Sequence, residues 1–152
     1  MTHLDVFEAT TLEENKNRID KLHPNTQPLW GKMDVAQMLA HVNVTYQLAK
    51  GDLIVNVHPM VRFILKTFVK KTIVGNKPYA KNGKTAPYFL VADERNFEQE
   101  KKLLLDHMKW VYEKGAPFFE DKSSASLGKL TAKEWSQMFQ KHLDHHLKQF
   151  GV

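Results

Sequence analysis

The tightest constraint on folding lies between residues 131 and 150. Thr131 and Glu134 form a T-x-x-E capping box, in which each side chain satisfies an amide that the first helical turn would otherwise leave without a partner. Trp135, Met138, Phe139, Leu143, Leu147 and Phe150 follow, mostly at three- and four-residue intervals. Only a helix gathers that spacing onto one face, and such a face has to be buried against other elements. The pattern predicts a helix over 131–150. His142 and His146 fall inside its apolar stripe, one turn apart, while His145 falls to one side.

The rest of the chain repeats this grammar. Thr11 to Leu22 reads as a first helix with Thr10 or Thr11 as N-cap and Glu13 and Glu14 in its first turn, where the helix dipole favours acid. The two prolines of HPNTQP, residues 23–28, end it. Asp34 and Gln37 form a D-x-x-Q capping box that opens a second helix running to about Lys50, with Gly51 as its C′ residue. Its expected polar stripe is Ala36, Asn43, Gln47 and Lys50, with His41 nearly opposite and so turned inward or close to an inward edge.

Pro59 opens a third helical segment over 59–72. A long irregular stretch follows, GNKPYAKNGKTAPYFL; a loop of that length in a compact domain serves function or wraps a core. Asp93 is expected to begin a further helix that reaches Gly115 and Pro117, with His107 on its apolar side. No segment alternates with a period of two, so no sheet is expected. The 152 residues suit one domain, 1–152, with one core. The fold class expected is all-α: a helical bundle with a short extra helix and a long connecting loop.

Composition narrows the chemistry. The chain has no cysteine, which excludes disulfides, thiolate ligands and a protein thiol nucleophile. A metal would have to be held by His, Asp or Glu. The opening MTHLDVFEATTLEEN does not look like a secretory signal, and no apolar tract is long enough to span a bilayer; the cytoplasm is the expected compartment. The net charge is +5, and the positive charge gathers around Arg62, Lys66, Lys70, Lys71, Lys77, Lys81 and Lys84. With no nucleic-acid motif beside it, this patch reads as a solvated face, and neither nucleic acid nor membrane is expected as a partner. Met60, Phe63, Ile64, Phe68 and Val69 are interleaved with those lysines. They could touch a membrane or a partner, but a helix packed on its own bundle is the plainer reading.

The histidines carry the strongest chemical signal. Two imidazoles four residues apart on one face can ligate one metal. One buried histidine is ordinarily a satisfied structural group, but two on one core face each need hydrogen-bond partners. A third ligand would come from a facing helix, with His41 and His107 as inward candidates. His3, His23 and His58 belong to termini or loops and are expected at the surface. Gln37, His145 and Gln149 are candidate neighbours of the ligands. Trp30 and Tyr46 are candidates to line a pocket, with core packing at least as good an account. Asp144 points away from the stripe, as a solvated residue would. No phosphate-binding glycine loop is present, and Ser123, Ser124 and Ser126 have no nucleophile signature.

LWGKMDVAQMLAHV, residues 29–42, and GKLTAKEWSQMFQKHLDHHLKQFGV, residues 128–152, resemble the DinB/YfiT-like superfamily. The match is to a branch described only as a domain of unknown function. NRIDKLHPNTQPLWGKM and NKPYAKNGKTAPYFLV fit the same branch, so the resemblance spans nearly the whole chain. It implies an up-down-down-up four-helix bundle with a divalent metal between helices, held by one histidine on the second helix and an H-x-x-x-H pair on the last. Carried over by position, these are His41, His142 and His146, which selects His41 over His107. Ser124 and Ala125 stand where many relatives in this branch carry a His-Pro pair, a departure that bears on the pocket mouth. The resemblance further implies an enzyme using zinc, nickel or iron on a small-molecule substrate, as a thiol-dependent S-transferase with a small-molecule thiol or as a related hydrolase, and a homodimer. Two other readings stand beside it. One is a non-catalytic interaction module whose basic segment 59–84 binds an acidic partner or surface. The other is a metal-stabilised bundle without chemistry.

Overall fold

The computed structural model describes residues 4–152, so His3 lies outside the described residues. The first helix, α1, spans Ala9–Ile19. It begins earlier than its sequence suggests, after Glu8, which makes no side-chain cap bond. Thr11 is only 2 % exposed: it is turned into the protein inside the helix rather than capping it. Glu13 and Glu14 thereby fall beyond the first turn. Past Ile19 the chain tightens, with Leu22 N–H donating to the Ile19 carbonyl, a short-range bond of the kind that finishes helix ends.

Helix α2 spans Val35–Lys50 and uses the capping box in full. Asp34 Oδ1 accepts from the Gln37 amide at 2.8 Å, and Gln37 Oε1 accepts from the Asp34 amide at 3.0 Å. Gly51 ends it at φ +83°, a left-handed conformation that costs glycine nothing. The expected polar stripe is not a solvent face, however. Ala36 and Asn43 are both buried, Asn43 to 1 %. Packed on one side by a long helix and on another by the last, α2 is covered nearly all round.

Pro59 does open a helical stretch, built as α3 over Pro59–Ile64, a π-helical turn over Leu65–Val69 and α4 over Lys70–Val74. His58 caps it, its Nδ1 accepting from the Met60 amide at 3.2 Å. The expectation that this helix packs on its own bundle fails for α3, where no residue is buried. Only Leu65 and Ile73 lean on the core, and Val74 belongs to it. The loop that follows carries one 3₁₀ turn, Pro87–Phe89.

Helix α5 spans Phe97–Phe119 and starts after Asn96 rather than at Asp93, because the Asn96 side chain accepts from the Gln99 amide. Helical dihedrals break at Gly115, at φ 70° and ψ 170°, just ahead of Pro117. A small antiparallel hairpin follows, which corrects the expectation of no sheet: β1, Lys122–Ser124, pairs with β2, Gly128–Leu130. Strands of three residues are too short to show alternation. Thr131 and Glu134 then cap α6, Ala132–Gln149, with both halves of the box made.

The architecture is thus mostly helical with one hairpin. Leu39 from α2, Leu104 and Val111 from α5, and Phe139, Leu143 and Leu147 from α6 meet in one cluster of buried side chains. Among the described residues, no helix is long and apolar enough to cross a membrane.

Candidate metal centre

Three helix-borne imidazoles converge where α2 passes α6. His41, His142 and His146 each bring one possible ligand atom within 4.8 Å of the other two. His41 and His142 meet through their Nε2 atoms at 3.0 Å. The His41 and His146 ring centres lie 4.6 Å apart, and those of His142 and His146 4.8 Å. The i, i+4 spacing on α6 and the inward face of α2 produce this meeting directly.

Each ring is held from behind. His41 Nδ1–H donates to the Phe89 carbonyl at 2.7 Å. His146 Nδ1–H donates to Gln149 Oε1 at 2.8 Å, and the Gln149 amide nitrogen donates in turn to the Trp30 carbonyl at 2.7 Å. His142 Nδ1 meets Thr45 Oγ1 at 2.9 Å. A carbonyl can only accept, so His41 and His146 carry their protons on Nδ1 and keep an Nε2 lone pair. The Thr45 hydroxyl can accept or donate, and so serves His142 in either tautomer. An outer-nitrogen hydrogen bond that leaves Nε2 free is the usual support of a metal-ligating histidine.

Burial sets the charge state. It holds His41 below the ordinary histidine range against the pull of the Phe89 bond. His142 is pushed well below that range by burial, then by His146, His41 and His145. His146 is pushed down to about 3, by burial and then by His41. Neutral imidazole is the form that binds metal. An ion about 2.0–2.1 Å from each nitrogen in tetrahedral geometry spaces the nitrogens about 3.3 Å apart, and the His41–His142 pair already stands near that spacing. Three neutral nitrogen donors suit a divalent transition ion rather than calcium or magnesium. The residues present therefore fit such an ion.

The other candidates fall elsewhere. His107 is 1 % exposed and its Nδ1–H donates to Asn43 Oδ1 at 3.0 Å; Asn43 Nδ2 donates onward to the Glu100 carbonyl and carboxylate. Tyr46 stacks between His107 and Phe139 as a core residue. His23 and His58 are exposed. His145 is half-buried with its ring edge-on to Trp30, Tyr79 and His146, beside the trio but not among its close nitrogens. Gln149 is bonded to His146. Gln37 bonds elsewhere: its amide nitrogen donates to the Asp93 carbonyl while its oxygen completes the α2 cap. Asp144 is not simply solvated, since Arg18 Nη1 pairs with it at 3.0 Å. Ser124 closes the hairpin by donating to the Gly128 carbonyl and accepting from the Leu127 amide.

Several contributors escaped the sequence reading. Thr45 lies one turn beyond His41, so helical spacing alone could have found it. The Phe89 carbonyl and Trp30 carbonyl are backbone groups with no residue signature. Tyr79 packs its ring near His142 and His145 while its hydroxyl donates to the Ile73 carbonyl at 3.0 Å. Lys141 Nζ lies 4.3 Å from that ring centre and donates to the Thr72 and Gly75 carbonyls. The long loop thus wraps the histidine cluster.

Searches against protein-family models, curated proteins and solved structures each find no match to this chain.

Proposed function

We propose that this chain is an enzyme with a divalent zinc, nickel or iron ion held by His41, His142 and His146 between helices of a DinB/YfiT-type bundle. Its reaction is thiol-dependent S-transfer, or a related hydrolysis, on a small molecule. One observation carries the reading: outer nitrogens of His41 and His146 are each spent on an acceptor, which leaves an Nε2 lone pair on each, that of His41 3.0 Å from His142 Nε2, with all three rings offering a nitrogen within 4.8 Å of the others. Lone pairs gathered away from water repel one another unless a proton or a cation lies between them.

Three protein ligands leave a coordination position open, and a bound ion supplies Lewis acidity that lowers the pKa of a water or thiol. The chain's own residues prepare the site. The Phe89 carbonyl and Gln149 fix two tautomers, and Thr45 accommodates the third. Phe89 and Tyr79 place rings against His142, so the loop that carries them limits water around the ligands. The absence of cysteine fits a thiol supplied by a small molecule.

Elemental analysis of untagged protein, purified without chelator beside His142→Ala/His146→Ala, tests this. The expected result is about one equivalent of transition metal in the wild type and none in the folded double variant. A wild type that holds no metal and takes none up on addition overturns the reading. A loaded protein then goes to a screen of small thiols with activated leaving groups.

A further inference from the structure

Between Asp52 and Asp93 the chain has no acidic residue but seven lysines and arginines. This same segment carries most of the large apolar side chains exposed among the described residues. Ile54 is 84 % exposed, Met60 67 %, Phe63 65 % and Phe68 72 %. Val61 and Ile64 add to the same outer surface of α3 and its π turn. Helix α3 has no buried residue, so its apolar side chains face out while cations alternate with them. Lys70 is paired with Glu134 at 2.9 Å. Arg62, Lys66 and Lys71 are exposed, and no carboxylate of the described residues pairs with them.

We propose that α3 and the following π turn dock on an anionic lipid surface. Met60, Phe63 and Phe68 would enter the headgroup boundary, with Arg62, Lys66 and Lys71 against lipid phosphates. Large apolar side chains left in water are a liability unless something covers them. A second copy of this chain is a poor cover: apposing the same face twice brings two acid-free basic segments together, with like charge against like. An anionic bilayer satisfies both features at once. It accepts apolar side chains at shallow depth, and long basic side chains reach up to its phosphates. The helix is too short to span, which fits a segment lying in the interface plane. The inference is independent of the histidine centre.

Co-sedimentation with vesicles of phosphatidylcholine, with and without phosphatidylglycerol, tests it. Binding is expected only with phosphatidylglycerol present, and it should weaken as salt rises. Phe63→Ser/Phe68→Ser should lower affinity at least about tenfold, and Arg62→Gln/Lys66→Gln/Lys71→Gln about a hundredfold. Because these side chains are exposed, both variants should melt with the wild type, which separates lost docking from lost folding. No binding to either vesicle overturns the proposal, as does binding that the serine variant leaves unchanged. A dimer in sedimentation velocity that the serine variant dissolves, with no vesicle binding, overturns it too and assigns the face to a second copy. Lipid binding that persists in His142→Ala/His146→Ala supports its independence from the metal centre.

Discussion

Gln149 grips His146 from three residues further along α6: Oε1 accepts from Nδ1–H at 2.8 Å. The opposite end of the same amide donates to the Trp30 carbonyl at 2.7 Å, which decides which way the amide faces and therefore which tautomer His146 adopts. A metal-ligating histidine loses affinity when such a partner is removed, typically ten- to a hundredfold. Gln149→Leu is expected to raise the metal Kd by about that factor, read by competition with a chromogenic chelator. An unchanged Kd would remove Gln149 from the site.

The three ligands and their neighbour should separate cleanly. His41→Ala is expected to abolish stoichiometric metal uptake, because two ligands on one helix do not complete a site. His145→Ala should retain about one equivalent, since this ring stands beside the trio. Metal content of the two variants side by side checks it. Loss in the His145 variant alone would move the centre to a different set of histidines.

Gly31 links the approach to α2 with the histidine support. It sits at φ +84°, and a Cβ there would lie 2.6 Å from Gln149 Nε2. Gly51 has a similar φ of +83° with nothing within 4 Å of the added atom. Gly51→Ala therefore measures the left-handed backbone cost alone, about 1 kcal/mol. Gly31→Ala should cost more, about 1–3 kcal/mol, and should also weaken metal binding by displacing Gln149. Denaturant unfolding of both variants, with metal titration, gives the comparison. Equal effects would mean that Gln149 yields freely.

The buried histidines make a pH prediction for the chelator-treated protein. Burial, and then Lys50, push His107 down to about 4, and His146 lies at about 3, against an ordinary 6.5. The unfolded chain therefore takes up protons near pH 6.5 while the folded chain resists. The folded state binds fewer protons, so stability falls as pH drops from above 6.5 toward these lower values. The slope is about 1.4 kcal/mol per pH unit for each such histidine. Thermal unfolding at pH 7 and pH 5 checks the sign, and His107→Asn should reduce the slope. A melting temperature that holds or rises at pH 5 contradicts the burial argument.

Local signals carried the sequence reading where one helix is enough to state the rule. The capping boxes at Asp34–Gln37 and Thr131–Glu134 place α2 and α6, because the groups that satisfy one another lie three residues apart. The i, i+4 pair on α6 and the inward position of His41 follow from helical periodicity alone. What tertiary structure decided depends on what each residue meets across the fold. Asn43 sits on an arc that reads as solvent-facing, yet α5 covers it and supplies Glu100 and His107 as partners. Gln37 and Gln149 are the same residue type, each near a ligand in sequence; the cap consumes one, and the Trp30 carbonyl orients the other. Phe89 holds His41 through a backbone carbonyl, a group every residue has, so no residue type announces it. The apolar residues of α3 read as packed on the bundle but lie exposed, because the helical stretch reaches the core further along, at Leu65, Ile73 and Val74. Periodicity and capping are short-range physics written into neighbouring residues. Burial and hydrogen-bond partnership are set by which surfaces meet.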